Sequence, residues 1–386
     1  MMRYLCAMLL LGLLSACKPA SEPQVAATET IDVLRYSSHW QRLNQHFTSA
    51  GGRIIDVGSD GSISTSEGQA YGLFFALVAN QPEQFALLLQ WTEDNLAGGD
   101  LTQRLPAWQW GQHAETEQWG ILDDNAASDA DVWLAYTLLE AGEAWQQPRY
   151  SALGKLLAAR IIREETLIWQ QQRILLPGPN GFYWPDDGQL VVNPSYLSLA
   201  LFEGLATLTD DQRWLEIYDS SVNLLQQHSG SGWVADWWRI NADGSIDQSY
   251  QPLADYDAIR SYLWFAIEAQ RKQATLHQSY HGLYDYTARQ GVPPEQVAWY
   301  QGSVSEHAAA APLGFSIVTA PYLALFDADL AELQYQRLVA APISRYEHRY
   351  YDTMLMLFGL GFAQQCYRFT EQGRLVLSWQ HALCSP

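Results

Sequence analysis

The chain has 386 residues, 48% hydrophobic and 13% aromatic, which is ample for one large core or two smaller ones. Forty-two acidic residues against 22 basic ones leave a formal net charge of −20, a balance that repels nucleic acid and anionic membrane surfaces and excludes both as partners. Sixteen Trp and 21 Tyr are many for this length; part of them fill a core, but flat aromatic faces also suit the axial C–H groups of sugar rings.

Arg3 and the apolar run 5–14 form a targeting segment too short for a transmembrane helix. It ends in Leu14-Ser15-Ala16-Cys17, which resembles a bacterial lipobox, so that residues 1–16 are a signal peptide and Cys17 is lipidated. An ordinary signal peptide cut nearby is the alternative. Lys18 after the cysteine favours periplasmic placement with an outer-membrane anchor. Residues 17–30 have linker composition, and residues 31–386 are expected to form one domain.

A first amphipathic helix is expected over 36–48. The stretch STSEGQAYG follows at 64–72: Thr65 or Ser66 caps a helix, and Glu67 falls in its first turn. From 68 to 80 no residue is charged, so this helix belongs inside the protein. Glu67 is then a lone carboxylate at its mouth, with Gly68 and Gly72 leaving room for something to approach. A second charged-face helix spans 82–97. The loop after it places Trp108 and Trp110 two residues apart, on one side of an extended chain.

Buried-looking helices recur with starts near Ser66, Ser128, Asn193, Asp255, Pro312 and Tyr350, the first five at roughly sixty-residue intervals. Amphipathic ones lie between them over 148–166, 210–228, 274–288 and 327–340. The loop before 193 contains Trp184 and a short strand, and 232–246 reads as a hairpin closing at Asn241-Ala242-Asp243-Gly244. Six inner and six outer helices in alternation describe an all-α (α/α)6 barrel with short β-hairpins in its loops. If the inner helices run parallel, Glu67, Asp129, Asp131, Ser195, Tyr196, Asp255, Asp257, Tyr351 and Asp352 line one rim. Capping explains any one of these acids. Four acidic helix starts on one rim indicate a pocket with paired carboxylates, because gathered like charges cost stability. Cys366 and Cys384 either pair as a disulfide or stay separate thiols. No Cys or His spacing suggests a metal site.

ASDADVWLAYTLLEAGEAW (127–145), with TSEGQAYG, NPSY and YDAIR, resembles glycoside hydrolase family 8, most like its periplasmic endoglucanases associated with bacterial cellulose synthase. The likeness runs from about Arg53 to Gly361; Leu134 and Thr137 depart from the usual side chains of the ASDAD helix. The resemblance implies an (α/α)6 barrel that hydrolyses β-1,4-glucan with inversion and needs no cofactor. It implies Glu67 as general acid, Asp257 as general base, and Asp129 as a holder of the sugar at the cleavage site. Tyr196 and Arg260 then lie near the attacking water, and Trp108, Trp110 and Tyr351 are further substrate-binding candidates. Chitosan, xylan or mixed-linkage glucan are alternative substrates, and a non-catalytic polysaccharide-binding lipoprotein is the reading from another class. A cellulose synthase complex is a candidate partner, and a monomer is the default state.

Overall fold

A computed structural model describes residues 33–59, 61–304 and 311–380. The signal peptide, Cys17, the tether and Cys384 lie outside the described residues, and so does any disulfide between Cys366 and Cys384. Twelve α-helices occur among the described residues, in the expected alternation. The outer ones are α1 (Tyr36–Arg42), α3 (Pro82–Leu96), α5 (Pro148–Glu164), α7 (Arg213–Gln227), α9 (Gly282–Gln290) and α11 (Ala328–Ala340). The inner ones are α2 (Ser66–Val78), α4 (Ser128–Ala144), α6 (Leu199–Thr209), α8 (Ala258–Lys272), α10 (Leu313–Leu323) and α12 (Tyr350–Ala363).

Each boundary has a local cause. Pro82 and Pro148 open α3 and α5, where a missing N–H costs nothing. Asp327 caps α11 by accepting from the N–H groups of Asp329 and Leu330. The third inner helix departs from expectation. Asn193 caps a separate 3-10 turn, Pro194–Tyr196, so Ser195 and Tyr196 precede α6 instead of opening it. The segment expected as one helix over 274–288 is a 3-10 turn, Leu276–Tyr280, followed by α9. The chain turns at Gly282, where a Cβ would collide with the Trp233 ring.

The inner helices pack in sequence order: α2 on α4, α4 on α6, α6 on α8, α8 on α10, and α10 on α12. Phe358 of α12 then meets Phe74 and Phe75 of α2, with ring centroids 5.9 and 4.7 Å apart. The same ring touches Trp133 of α4 at 5.3 Å and Trp264 of α8 at 5.5 Å. Aromatic edges and faces at these distances fill the space between the helices. Outer helices cover the ring from outside: α3 on α2, α5 on α4, α7 on α6, α11 on α10 and α1 on α12.

Small sheets decorate the loops. Strands β1 (Ser64–Thr65), β2 (Gln109–Gln112) and β3 (Trp119–Asp123) form one antiparallel sheet that delivers the chain into α2. The turn at Asn241–Gly244 is present, but the strand before it, Trp238–Ile240, pairs chiefly with Gln189–Val192. The C-terminal hairpin, Tyr367–Phe369 with Leu375–Leu377, straps the far ends of the helices. There Arg374 grips buried Glu140 of α4 with two bonds of 2.9 and 3.0 Å. The Leu375 N–H reaches the same carboxylate at 2.9 Å, and the Tyr136 hydroxyl donates to the Gly373 carbonyl at 2.8 Å.

Candidate active site

The rim is built from helix starts. Thr65 caps α2 by accepting from the Gly68 N–H at 3.1 Å, and the Ser66 N–H bonds the Trp108 carbonyl at 3.0 Å. Glu67 therefore stands in the first turn of α2, beside the β2 strand. Gly68 and Gly72 do not leave room for a ligand. A Cβ at Gly68 would strike the Tyr350 hydroxyl, and one at Gly72 would strike Ile54, so both glycines admit the protein's own side chains. Gln69 is fully satisfied: it accepts from the Ile54 N–H at 2.6 Å and donates to Gly52, Leu88 and Thr92 at 3.1–3.2 Å. It pins the 52–54 loop beside the acid.

Arg260, one turn into α8 and 2% exposed, gathers the carboxylates. Its Nη1 donates to Glu67, to the Tyr71 hydroxyl at 2.9 Å and to Asp129 Oδ2 at 3.3 Å. Its Nη2 donates to Asp257 Oδ1 at 2.7 Å and to the Ser195 hydroxyl at 2.9 Å. Sequence-expected acids from α2, α4 and the start of α8 thus meet on one guanidinium. Asp129 is buried, and its second oxygen accepts from the Ala130 N–H at 2.7 Å. Burial, then the charge of Glu67, push its carboxyl well above the usual range. Burial also raises Asp257, with Arg260 opposing the shift. The side chains of Glu67 and Asp257 keep 24% and 31% of their exposure, so both face the solvent side of the cluster.

The aromatic candidates divide. Tyr196 lies with its ring centroid 5.9 Å from the Arg260 guanidinium carbon and packs edge-on against Trp237. Trp237 stacks on Phe182, nearly parallel at 6.1 Å. The Tyr351 hydroxyl donates to the Tyr256 carbonyl at 2.6 Å, which ties the start of α12 to the start of α8. Trp108 adjoins Glu67 through its backbone, which accepts from the Ser66 N–H and donates to the Asn125 carbonyl at 2.7 Å. Trp110 is engaged elsewhere. Its ring packs with Trp91 and Trp119 at 5.3 and 5.2 Å, under the Arg53 guanidinium at 4.5 Å. The register between β2 and β3 shifts between Gln109 and Trp110, where Leu122 is the extra residue on β3, so β2 itself runs regularly past both partners.

Two acids matter here that sequence reasoning did not single out. Asp236, in the loop before the Trp238 strand, caps α8 from a distance. Its Oδ1 accepts from the N–H groups of Asp255 at 3.0 Å and Ala258 at 2.7 Å, on either side of Asp257. Burial, then the neighbouring Asp255 carboxyl, push it up to about 8. Glu165, which ends α5, is paired with Asp131 of the ASDAD segment. Both are buried, and no donor from another described residue reaches either carboxyl, so the pair favours the protonated form. Asp131 thus turns away from Arg260. Neither partner was legible, because each is an ordinary loop or helix-end acid until the fold supplies its neighbour.

A family model described as Glycosyl hydrolases family 8 matches residues 2–365. A relative from Escherichia coli O157:H7 named Endoglucanase is 35% identical over 351 residues, 88% of this chain and 90% of that protein. One of the same name from Pseudomonas fluorescens (strain SBW25) is 36% identical over 367 residues, 89% and 91% of the two chains. The crystal structure of an endo-1,4-D-glucanase from Vibrio fischeri ES114 superposes with a TM-score of 0.82 at 37% identity, covering 89% of this chain and 99% of that one.

Proposed function

The chain belongs to Glycosyl hydrolases family 8 and is an endoglucanase of that family; from that premise we propose an inverting attack on β-1,4-glucan with Glu67 as general acid and Asp257 as general base. The observation that carries the assignment is the convergence of Glu67, Asp129 and Asp257 on the two terminal nitrogens of buried Arg260. Glu67 passes its proton to the leaving glycosidic oxygen. Asp257 takes a proton from the water whose oxygen bonds to the anomeric carbon on the opposite face, so the configuration inverts. Such a pair needs about 6.5–9.5 Å between carboxyls, with room for the water. Arg260 donates to both carboxyls, so Glu67 has to leave it and take up a proton from solvent before it can act as the acid. Asp129, held high by burial, is suited to bond a sugar hydroxyl in the same subsite.

Glu67→Gln and Asp257→Asn each should lower kcat on cello-oligosaccharides by about 10²–10⁴-fold, with substrate binding kept. Proton NMR of the first product should show the α-anomer; initial release of the β-anomer would refute inversion. Barley glucan, xylan and chitosan assayed in parallel distinguish the glucan reading from its substrate alternatives, and turnover of none of them would favour the binding-lipoprotein reading.

The ring of inner helices, with Phe358 bridging α12 to α2, supports a closed (α/α)6 barrel. The lipobox at 14–17 supports anchoring of the enzyme to the periplasmic side of the outer membrane through Cys17, where a cellulose synthase complex would feed it nascent chains as a monomer. Fatty-acid labelling should vanish in Cys17→Ala; persistent label would reject the anchor.

A further inference from the structure

The chain is acidic overall, yet from Arg337 to Arg349 it carries three arginines and a histidine against one carboxylate, Glu347. The fold brings those arginines to one cavity of about 220 Å³. It lies between the end of α11, the turn Ile343–Arg345 and the start of α12, and Glu295 and Asp352 are its acidic lining among the described residues. Both acids are already engaged. Asp352 pairs with Arg349 at 3.3 Å, and Glu295 accepts from the Tyr256 hydroxyl at 2.8 Å. Arg337 has only neutral partners: it donates to the Ser316 hydroxyl and, at 3.5 Å, to the Ala311 carbonyl. Ser316 in turn donates to Gln334 at 2.8 Å, which fixes its lone pair towards Arg337. Among the described residues, neither Arg337 nor Arg345 meets a carboxylate.

The described lining thus carries three guanidinium groups against two carboxylates, and Arg337 and Arg345, with no ion-pair partner among the described residues, repel each other across it. Burial, with the charge of Arg345 added, holds Arg337 below the usual guanidinium range. An oxyanion placed between them removes that cost and matches the planar donor forks, whereas a neutral sugar leaves the charges unpaired. The cavity holds several waters' worth of space, at roughly 30 Å³ each. We propose that it is a binding site for a small oxyanion of the phosphate or carboxylate class, gripped by Arg337 and Arg345 with Arg349 at its third side. The anion is either free in solution or a substituent carried on the polysaccharide. The site stands behind the rim, because Glu295 holds Tyr256, the neighbour of Asp257, and Asp352 follows Tyr351. It does not depend on the glucanase reading.

Calorimetric titration with inorganic phosphate, against chloride at equal ionic strength, tests it. Wild-type enzyme should bind saturably at one site, and Arg337→Gln or Arg345→Gln should weaken binding by about tenfold or more. Arg345 is exposed, so its variant should melt as wild type does, and Arg345→Lys should recover part of the affinity. A rise in KM for carboxymethylcellulose, but not for neutral cello-oligosaccharides, in these variants would place the anion on the polymer. Weakened phosphate binding with both KM values unmoved would make the ligand a free anion. Absence of saturable phosphate binding together with no KM difference, or equal phosphate binding by wild type and the double variant, would overturn the proposal.

Discussion

Arg260 joins three carboxylates through two nitrogens, and that ratio explains why the acids tolerate each other. Remove the cation and buried Asp129 loses its only charged partner among the described residues. Asp131 and Glu165 have no such partner among the described residues, and a proton shared between them is the expected relief. Burial pushes both well above the usual range, Glu165 being raised further by Asp131 and Asp131 by Asp129; Glu164 faces the pair as the other nearby charge. A carboxyl whose folded value is raised contributes stability that is full below its unfolded value, about 4, and is lost as pH rises through the folded value. Melting temperature should therefore fall as pH rises above about 4, and Asp131→Asn, which donates to Glu165 without a charge, should flatten that fall. An unchanged slope in the variant would show that the pair does not share a proton. Glu67, Asp129, Asp257 and Arg260 were legible because each stands at a helix start or one turn beyond it. Glu165 was not, since its meaning comes from a residue on another helix.

At the scale of elements, uncharged runs identified the inner helices and prolines marked two outer starts. Errors gathered where side chains outvoted periodicity. Asn193 closes a turn of its own before α6, and a 3-10 turn at Leu276–Tyr280 breaks the helix expected over 274–288. The cap of α8 was hidden for another reason: Asp257 occupies the cap position but makes no side-chain cap bond, and Asp236 supplies it from about twenty residues upstream. Asp236→Ala should cost about 1–2 kcal/mol of stability and should also lower kcat, because the freed N–H groups flank the proposed base. Asp236→Asn keeps an acceptor oxygen and should restore most of both. Urea unfolding and steady-state kinetics on both variants check this; an alanine variant with wild-type kcat would confine Asp236 to a structural part.

Across the whole molecule, catalytic candidates sit at one end of the helices and a separate ionic clasp at the other. Glu140, 4% exposed, is held by Arg374 and the Leu375 N–H. Breaking such a pair leaves a charge uncompensated, at a cost of about 3–5 kcal/mol, reduced here because Arg374 is itself partly exposed. Arg374→Met should thus lower unfolding free energy by about 2–3 kcal/mol with kcat unchanged at 25 °C. A loss of kcat at unchanged stability would mean that the two ends communicate. The alternating layout was legible from the sequence; this clasp was not, because it joins residues more than 230 positions apart.

The clasp also sets an order of events. Arg374 and Leu375 follow every residue of the catalytic rim along the chain, so a chain entering its compartment N-terminus first gathers the rim before the clasp arrives. The chain then carries its chemistry complete and its base still open, and it becomes durable only when the hairpin of Tyr367–Phe369 and Leu375–Leu377 docks.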